Sequence, residues 1–321
     1  MTLLLTRSDI EELLDLDDAV EALRGGFAAT AAPDATTVPA QRVRTDLPGP
    51  GTATVLLPGL LPGIAAYTVK VNAKFPGSSP ALRGIVCLHD LASGELLALI
   101  DSASLTAWRT GLAAAVATHE LARKGADSVA VVGAGTQARV TVRGLARLRS
   151  LSSVHVVDVD TQRAESFATG TGSLYSVDHY VATSPAAAAA AADIVVVATW
   201  SHQALLDVPH VRPGQHVTSL GADEPGKAEL SARLLRHARL FTDDQGLAET
   251  SGALGTAGLD RSVLAGVFGD VAHGTVPART EPDDVTAYIP VGLPWQDLAL
   301  AWSLYRRATD QRAGARLDLL A

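Results

Sequence analysis

Cysteine is nearly absent from this 321-residue chain, with Cys87 standing alone. A single thiol excludes an internal disulfide and removes thiolate-based metal clusters. Positive charge is also scarce: 26 Lys and Arg face 34 Asp and Glu, for a net charge of -8 with His neutral. Nucleic acid or an anionic membrane would favour a basic surface, and no basic stripe compensates, so neither is an expected partner. No apolar run approaches membrane-spanning length. Residues 1–7 hold three leucines but no long apolar stretch behind a basic start, and acidic residues follow at once. A secretory leader is therefore not expected, and a cytoplasmic location is. The nine histidines are scattered, and the pairs Asp243-Asp244 and Asp283-Asp284 lack partners at ligand spacing. They read as surface or cap residues, and no metal site is expected. Neither a GxSxG elbow nor a cysteine nucleophile with a histidine motif is present.

What is present begins at residues 129–160. Residues 129–132 (Val-Ala-Val-Val) form an apolar run suited to a strand buried on both faces, and Gly133 and Gly135 fall where it must turn into a helix. Ala138 completes a GxGxxA pattern. Glycines let the backbone approach a pyrophosphate, and the helix N-terminus favours its negative charge. A second strand ends at Asp158, twenty positions beyond Ala138, near the spacing at which a carboxylate accepts the hydroxyls of an adenosine ribose. Strand, turn, helix and acidic strand end together predict a dinucleotide site.

The length favours two domains. Residues 8–27 read as one amphipathic helix, and 41–99 as β-rich, with turns at Pro48 to Gly51, Pro62-Gly63 and Ser93-Gly94. An Ala-rich helix over 104–122 leads into the nucleotide motif. Beyond it come a helix, a strand near Val154, a helix, Ser184-Pro185 opening a run of seven alanines, and strands at 194–198, 216–220 and 240–242. Ser at the N-cap and Pro at the first helical position explain where the alanine run starts. The alternation predicts an α/β domain with parallel pairing and helices on both faces. Residues 295–308 form a closing amphipathic helix.

Four charged clusters in restricted surroundings are the places to look for chemistry. Arg42 and Arg44 read equally as solvated strand residues. Lys70 lies between Val69 and Val71, facing either a site or solvent. Arg109 follows Trp108 in an apolar helix and suits a buried pair as well as a ligand. Asp223 follows an apolar strand, where ligands of open α/β sheets collect, but also suits a helix cap before Lys227.

The sequence resembles the ornithine cyclodeaminase and mu-crystallin family, which includes alanine dehydrogenases and cyclic ketimine reductases. The resemblance covers nearly the whole chain. It rests on Arg42 after Pro39, on Lys70, on 84–90 with Ser93-Gly94, and on Leu105-Thr106 with Arg109-Thr110. It continues through 132–138 and 221–230 to Gly292 with Asp297-Leu298. It implies a substrate-binding and dimerisation domain, 1–122 plus 293–321, of discontinuous α+β type around an inserted Rossmann dinucleotide-binding domain, 123–292. A homodimer is implied. So is hydride exchange between nicotinamide and the α-carbon of a small amino acid or imine.

Position by position, the resemblance implies that Arg42, Lys70 and Arg109 surround the substrate carboxylate, with Arg109 also near the cofactor. Thr136 and Gln137 would meet the diphosphate beside Gly133 and Gly135, and Asp158 the ribose. Thr199 and the strand end with Val217, Ser219 and Leu220 would meet the nicotinamide, and Lys227 and Val291 would border the substrate. Asp223 matches the family's catalytic aspartate, to stabilise the iminium nitrogen and shuttle its proton, with Lys70 a second proton donor.

Three departures carry information. Cyclodeaminases place an acidic residue where this chain has Val55, and an apolar residue cannot pair a second ammonium group. NADP-using members place Asn-Arg where this chain has Asp158-Val159, and Asp158 would repel a 2′-phosphate, which predicts NAD(H) over NADP(H). Arg139, Arg143 and Arg147 recur on one helical face and read as solvated. Trp295 replaces a small residue and either narrows the pocket or packs the closing helix. Three functions follow from the resemblance: the oxidoreductase, a cyclodeaminase using NAD catalytically and releasing ammonia, and a mu-crystallin-like binding protein.

Overall fold

The computed structural model describes residues 1–32, 41–49, 51–75, 77–78 and 80–319. Pro39 lies outside them. The chain divides into two compact units, Met1–Thr110 with Leu293–Ala321, and Gly111–Gly292. The first division falls within the helix at 102–121.

The first unit is built on one seven-stranded sheet. Its strands are β1 (Thr2–Leu5), β2 (Val43–Asp46), β3 (Ala53–Gly59), β4 (Ala66–Lys74), β5 (Leu82–Asp90), β6 (Leu96–Asp101) and β17 (Ala315–Leu317), in the order β17-β1-β6-β5-β4-β3-β2. From β2 to β6 it is an antiparallel meander, and the predicted turns fall between β2 and β3, β3 and β4, and β5 and β6. Two helices, α1 (Arg7–Leu13) and α2 (Leu16–Thr30), replace the single one expected over 8–27. The first closes on Leu14, and Asp15 caps the second by accepting the amides of Asp17 and Asp18, so the break is written in the Asp15-Leu16-Asp17-Asp18 run.

Helix α11 (Pro294–Gln311) packs on β3, β4 and β5 and against α2. Trp295 stands edge-on to Phe27, and a Cβ at Gly26 would lie 2.3 Å from its ring. Trp295 thus packs the closing helix against α2. Along β4, Thr68, Lys70 and Asn72 point to the buried face while Val71 on the other is 37 % exposed. Lys70 therefore faces inward, and the solvent-facing reading of it is overturned.

Helix α3 (Ser102–Leu121) leads to the second unit, whose strands are β7 (Ser128–Val132), β8 (Ser153–Val157), β9 (Asp178–Val181), β10 (Ile194–Val197), β11 (His202–Leu206), β12 (His216–Ser219), β13 (Ala228–Leu230), β14 (Arg239–Thr242), β15 (Leu264–Val267) and β16 (Thr286–Tyr288). Eight of them form a parallel sheet in the order β15-β14-β16-β12-β10-β7-β8-β9, and β11 pairs with β13 apart from it. Between the strands run α4 (Thr136–Leu148), α5 (Thr161–Tyr175), α6 (Pro185–Ala190), α7 (Ala232–His237), α8 (Gln245–Thr250), α9 (Ala253–Ala257) and α10 (Phe268–His273).

Alternate residues of β7 feed two cores. Val129 and Val131 pack with α4 and α5 on one face, while Ala130 and Val132 pack with α6 and α7 on the other. Ser184 caps α6 through the Ala187 amide, as its sequence predicts. Arg139, Arg143 and Arg147 lie on the exposed face of α4. Strand order reverses direction between β7 and β10, and the crevice outside their carboxyl ends is where open α/β sheets bind ligands. Among the described residues no helix is long and apolar enough to cross a membrane.

Candidate functional site

In the second unit the turn after β7 is shaped by two glycines with different constraints. Gly133 has φ +93°, and a Cβ there would sit 2.5 Å from the Ala198 carbonyl oxygen. Gly135 is the N-cap of α4, no side chain caps that helix, and nothing lies within 4 Å of where its Cβ would be. An uncapped helix start beside a side-chain-free cradle fits a diphosphate, with Thr136 and Gln137 as the first helical residues.

Asp158 closes the far side. Its Oδ2 accepts the Ala134 amide at 2.7 Å, its Oδ1 accepts the Asp160 amide at 2.9 Å, and Arg163 approaches Oδ1 at 3.6 Å. The carboxylate the spacing predicts is thus bonded directly to the glycine turn. Beside it Val159 is fully exposed.

The ends of β10 and β12 meet on a residue the sequence reading did not single out. Glu229, at 0 % exposure, accepts the amide and hydroxyl of Thr199 on Oε1, at 2.6 and 2.8 Å. Its Oε2 accepts the Ser219 hydroxyl at 2.7 Å and the Gly221 amide at 2.8 Å. Burial raises its pKa to about 7 against the pull of those hydrogen bonds. Val217 and Leu220 turn their side chains into the two apolar cores.

Asp223 lies in the loop that follows. No helix starts there, so the cap reading is overturned: Lys227 Nζ contacts Asp223 Oδ1 at 2.7 Å and Glu224 at 3.6 Å, just before β13. Burial opposes the Lys227 charge, yet Asp223 and Glu224 outweigh it and raise the pKa. The ammonium also lies 5.3 Å above the Trp200 ring.

Asp243 corrects another expectation. Rather than a surface or cap residue it is buried, with its two oxygens accepting the amides of Val291 at 2.9 Å and Gly292 at 2.7 Å. Burial raises its pKa to about 6 despite both bonds. Its neighbour Asp244 is the cap, on α8. The apolar strand running directly into Asp243 was the available signal of burial.

In the first unit, Lys70 Nζ lies 2.7 Å from Asp297 Oδ2 of α11 and 3.3 Å from the Thr106 hydroxyl. Arg109 Nε approaches Asp297 Oδ1 at 3.4 Å without hydrogen-bond geometry, and its Nη1 donates to Gln296 at 3.1 Å. Burial lowers the Lys70 pKa to about 8. Asp297 opposes that fall, and the nearby charges of Arg109 and Arg42 add to it. Arg44 instead pairs with Asp46 on the exposed strand β2.

Two cations, Lys70 and Arg109, thus share the one carboxylate of Asp297, a surplus of positive charge suited to an anionic group such as a carboxylate. The resemblance includes Asp297 without giving it a role, and its partners here are Lys70 and Arg109. Among the described residues no group of three His, Cys, Asp or Glu could hold a metal ion.

The profile of the ornithine cyclodeaminase/mu-crystallin family matches residues 1–312. The chain is 28% identical over 330 aligned positions to the alanine dehydrogenase of Archaeoglobus fulgidus, covering 98% of each. It is 30% identical over 256 to the ketimine reductase mu-crystallin of Mus musculus, covering 77% of this chain and 79% of that one. Among solved structures, an archaeal alanine dehydrogenase dimer with bound NAD superposes with a TM-score of 0.91 at 26% identity, over 99% of both chains.

Proposed function

This chain belongs to the ornithine cyclodeaminase/mu-crystallin family, and from that membership we propose that it is an NAD(H)-dependent oxidoreductase. It passes hydride between nicotinamide and the α-carbon of a small amino acid or imine. The observation that carries this reading is the buried cluster of Lys70, Arg109 and Asp297 with Arg42 close by, a net positive site fit for the carboxylate of such a substrate.

When bound, the nicotinamide supplies or takes the hydride. The chain's own residues do the rest. Gly133, Gly135, Thr136 and Gln137 cradle the diphosphate, Asp158 takes the ribose, and Thr199, Val217, Ser219 and Leu220 form the nicotinamide side. Arg42, Arg109 and Lys70 fix the carboxylate and so the direction in which the α-carbon faces. Asp223 stabilises the positive nitrogen and carries its proton, with Lys227 and Val291 bordering the substrate. The glycine cradle and the Asp158 tie to Ala134 support the dinucleotide half of this assignment. Val55, buried opposite Asn72, offers no partner to a second ammonium and so favours the oxidoreductase over the cyclodeaminase.

We also assign the chain to a homodimer. Val43, Leu56, Val71 and Ile85 are register neighbours across β2 to β5, and the first three are 56 %, 42 % and 37 % exposed. A contiguous apolar row on a sheet face calls for a cover, which a second copy supplies.

One assay tests the enzymatic reading. Small amino acids with NAD, and imino or keto acids with NADH, are screened for absorbance of the reduced nicotinamide and for ammonia in parallel. Net cofactor change with at least one substrate is expected. Ammonia from ornithine or lysine without net cofactor change, or binding without turnover, would overturn it.

A further inference from the structure

Glu229 is buried, charged at a cost, and used by no step above. Its four accepted hydrogen bonds come from three places: Thr199 past the end of β10, Ser219 at the end of β12, and Gly221 at the start of the loop bearing Asp223. The packing around it is closed. A Cβ at Gly221 would lie 2.4 Å from Glu229 Oε1 and 2.0 Å from the Thr199 carbonyl oxygen, and a Cβ at Gly133 would lie 2.9 Å from the Thr199 methyl. The carboxylate therefore connects the glycine turn, the nicotinamide side of the crevice and the Asp223 loop.

With both oxygens doubly bonded, it has no lone pair left for a ligand. We propose that Glu229 is a positioning residue of the hydride-transfer site, holding Thr199 and Gly221, and through them the crevice and the Asp223 loop, in a single arrangement. This rests on the oxidoreductase reading.

The bonding pattern makes the charge state matter. Each oxygen accepts one backbone amide, Thr199 on Oε1 and Gly221 on Oε2, so the single NH2 of a glutamine must face a backbone N–H whichever way it is turned. A buried donor left against a donor loses its hydrogen bond without compensation. Glu229→Gln therefore opens the clamp while preserving volume.

The test combines turnover with a readout in the free protein. In wild type, the amide proton resonances of Thr199 and Gly221 should titrate together with one midpoint near pH 7, the value to which burial raises Glu229. In Glu229→Gln that titration should vanish. The variant should bind NADH within about threefold of wild type, because Glu229 makes no hydrogen bond to the diphosphate cradle, while kcat falls on the order of 100-fold, the scale of a small misplacement of reacting groups. Independent or absent titration of the two amides in wild type would overturn the proposal, and it needs no variant to fold. So would a folded Glu229→Gln that keeps its kcat, or one that loses kcat with both amides unperturbed. Failure of wild type to turn over any amino acid or imine would sink the oxidoreductase reading instead, with the amide titration still deciding whether the clamp exists.

Discussion

Lys70 Nζ and Asp297 Oδ2 stand 2.7 Å apart, with side chains 1 % and 2 % exposed. Each is costly to bury alone, and each is tolerable only because of the other. Asp297→Ala should therefore destabilise the protein by about 3–5 kcal/mol, since it leaves the Lys70 and Arg109 charges uncompensated. Lys70→Met should cost less, because Arg109 still faces Asp297 at 3.4 Å. The double variant Lys70→Met with Asp297→Leu should recover most of the loss. Urea unfolding midpoints of the three variants check this, and an Asp297→Ala protein as stable as wild type would contradict it.

The same lysine sets a pH limit. Its folded pKa lies near 8, chiefly through burial, against an ordinary 10.5. As pH rises through about 8 the cluster loses one positive charge, and carboxylate binding should weaken. We expect kcat/KM for imine reduction to fall above pH 8, and Lys70→Arg, which keeps its charge, to move that limb to higher pH. The effect on stability has the opposite sense. The folded state holds this proton more weakly than the unfolded state, so Lys70 favours folding most above pH 10.5 and least below pH 8.

The parts of this architecture visible in the sequence are those set by local periodicity. The glycine turn, the strands at 194–198 and 240–242 and the capped alanine run each follow from neighbouring residues. What the sequence did not reveal depends on distant ones. Lys70 between two valines reads equally as inward or outward, and its deciding partner lies 227 positions away. Glu229 sits inside a motif the sequence reading cites, but its burial needs Thr199, thirty residues earlier, to supply two donors. Asp243 and Asp244 look alike in sequence and differ only because Val291 and Gly292 offer their amides to one of them.

Cofactor choice rests on Asp158, but the structure adds Arg163, 3.6 Å from it and 54 % exposed. Removing the Asp158 charge would release that guanidinium toward a 2′-phosphate with no need to introduce a new cation. Asp158→Asn, which keeps an acceptor for the Ala134 amide and gives up the one for the exposed Asp160 amide, should tighten NADPH binding by roughly 10–100-fold, the worth of one charge-assisted hydrogen bond. Adding Arg163→Ala should cancel most of the gain. Fluorescence titrations with NADH and NADPH measure both, and equal NADPH affinity with and without Arg163 would show that the charge of Asp158 acts alone.

The apolar row across β2 to β5 gives the assembly its test. Val71 sits at the centre, paired in register with Leu56 on one side and Ile85 on the other. Because its neighbours on the strand point inward, a charge placed at Val71 should leave the buried face of β4 intact. Val71→Glu combined with Leu56→Glu should abolish pairing across this face through two unpaired carboxylates per copy. Light scattering coupled to size exclusion should then give the monomer mass, against twice that mass for wild type. The buried cluster around Lys70 should survive, so NADH affinity of the monomer stays close to wild type. A double variant that remained dimeric would move the interface elsewhere on the chain.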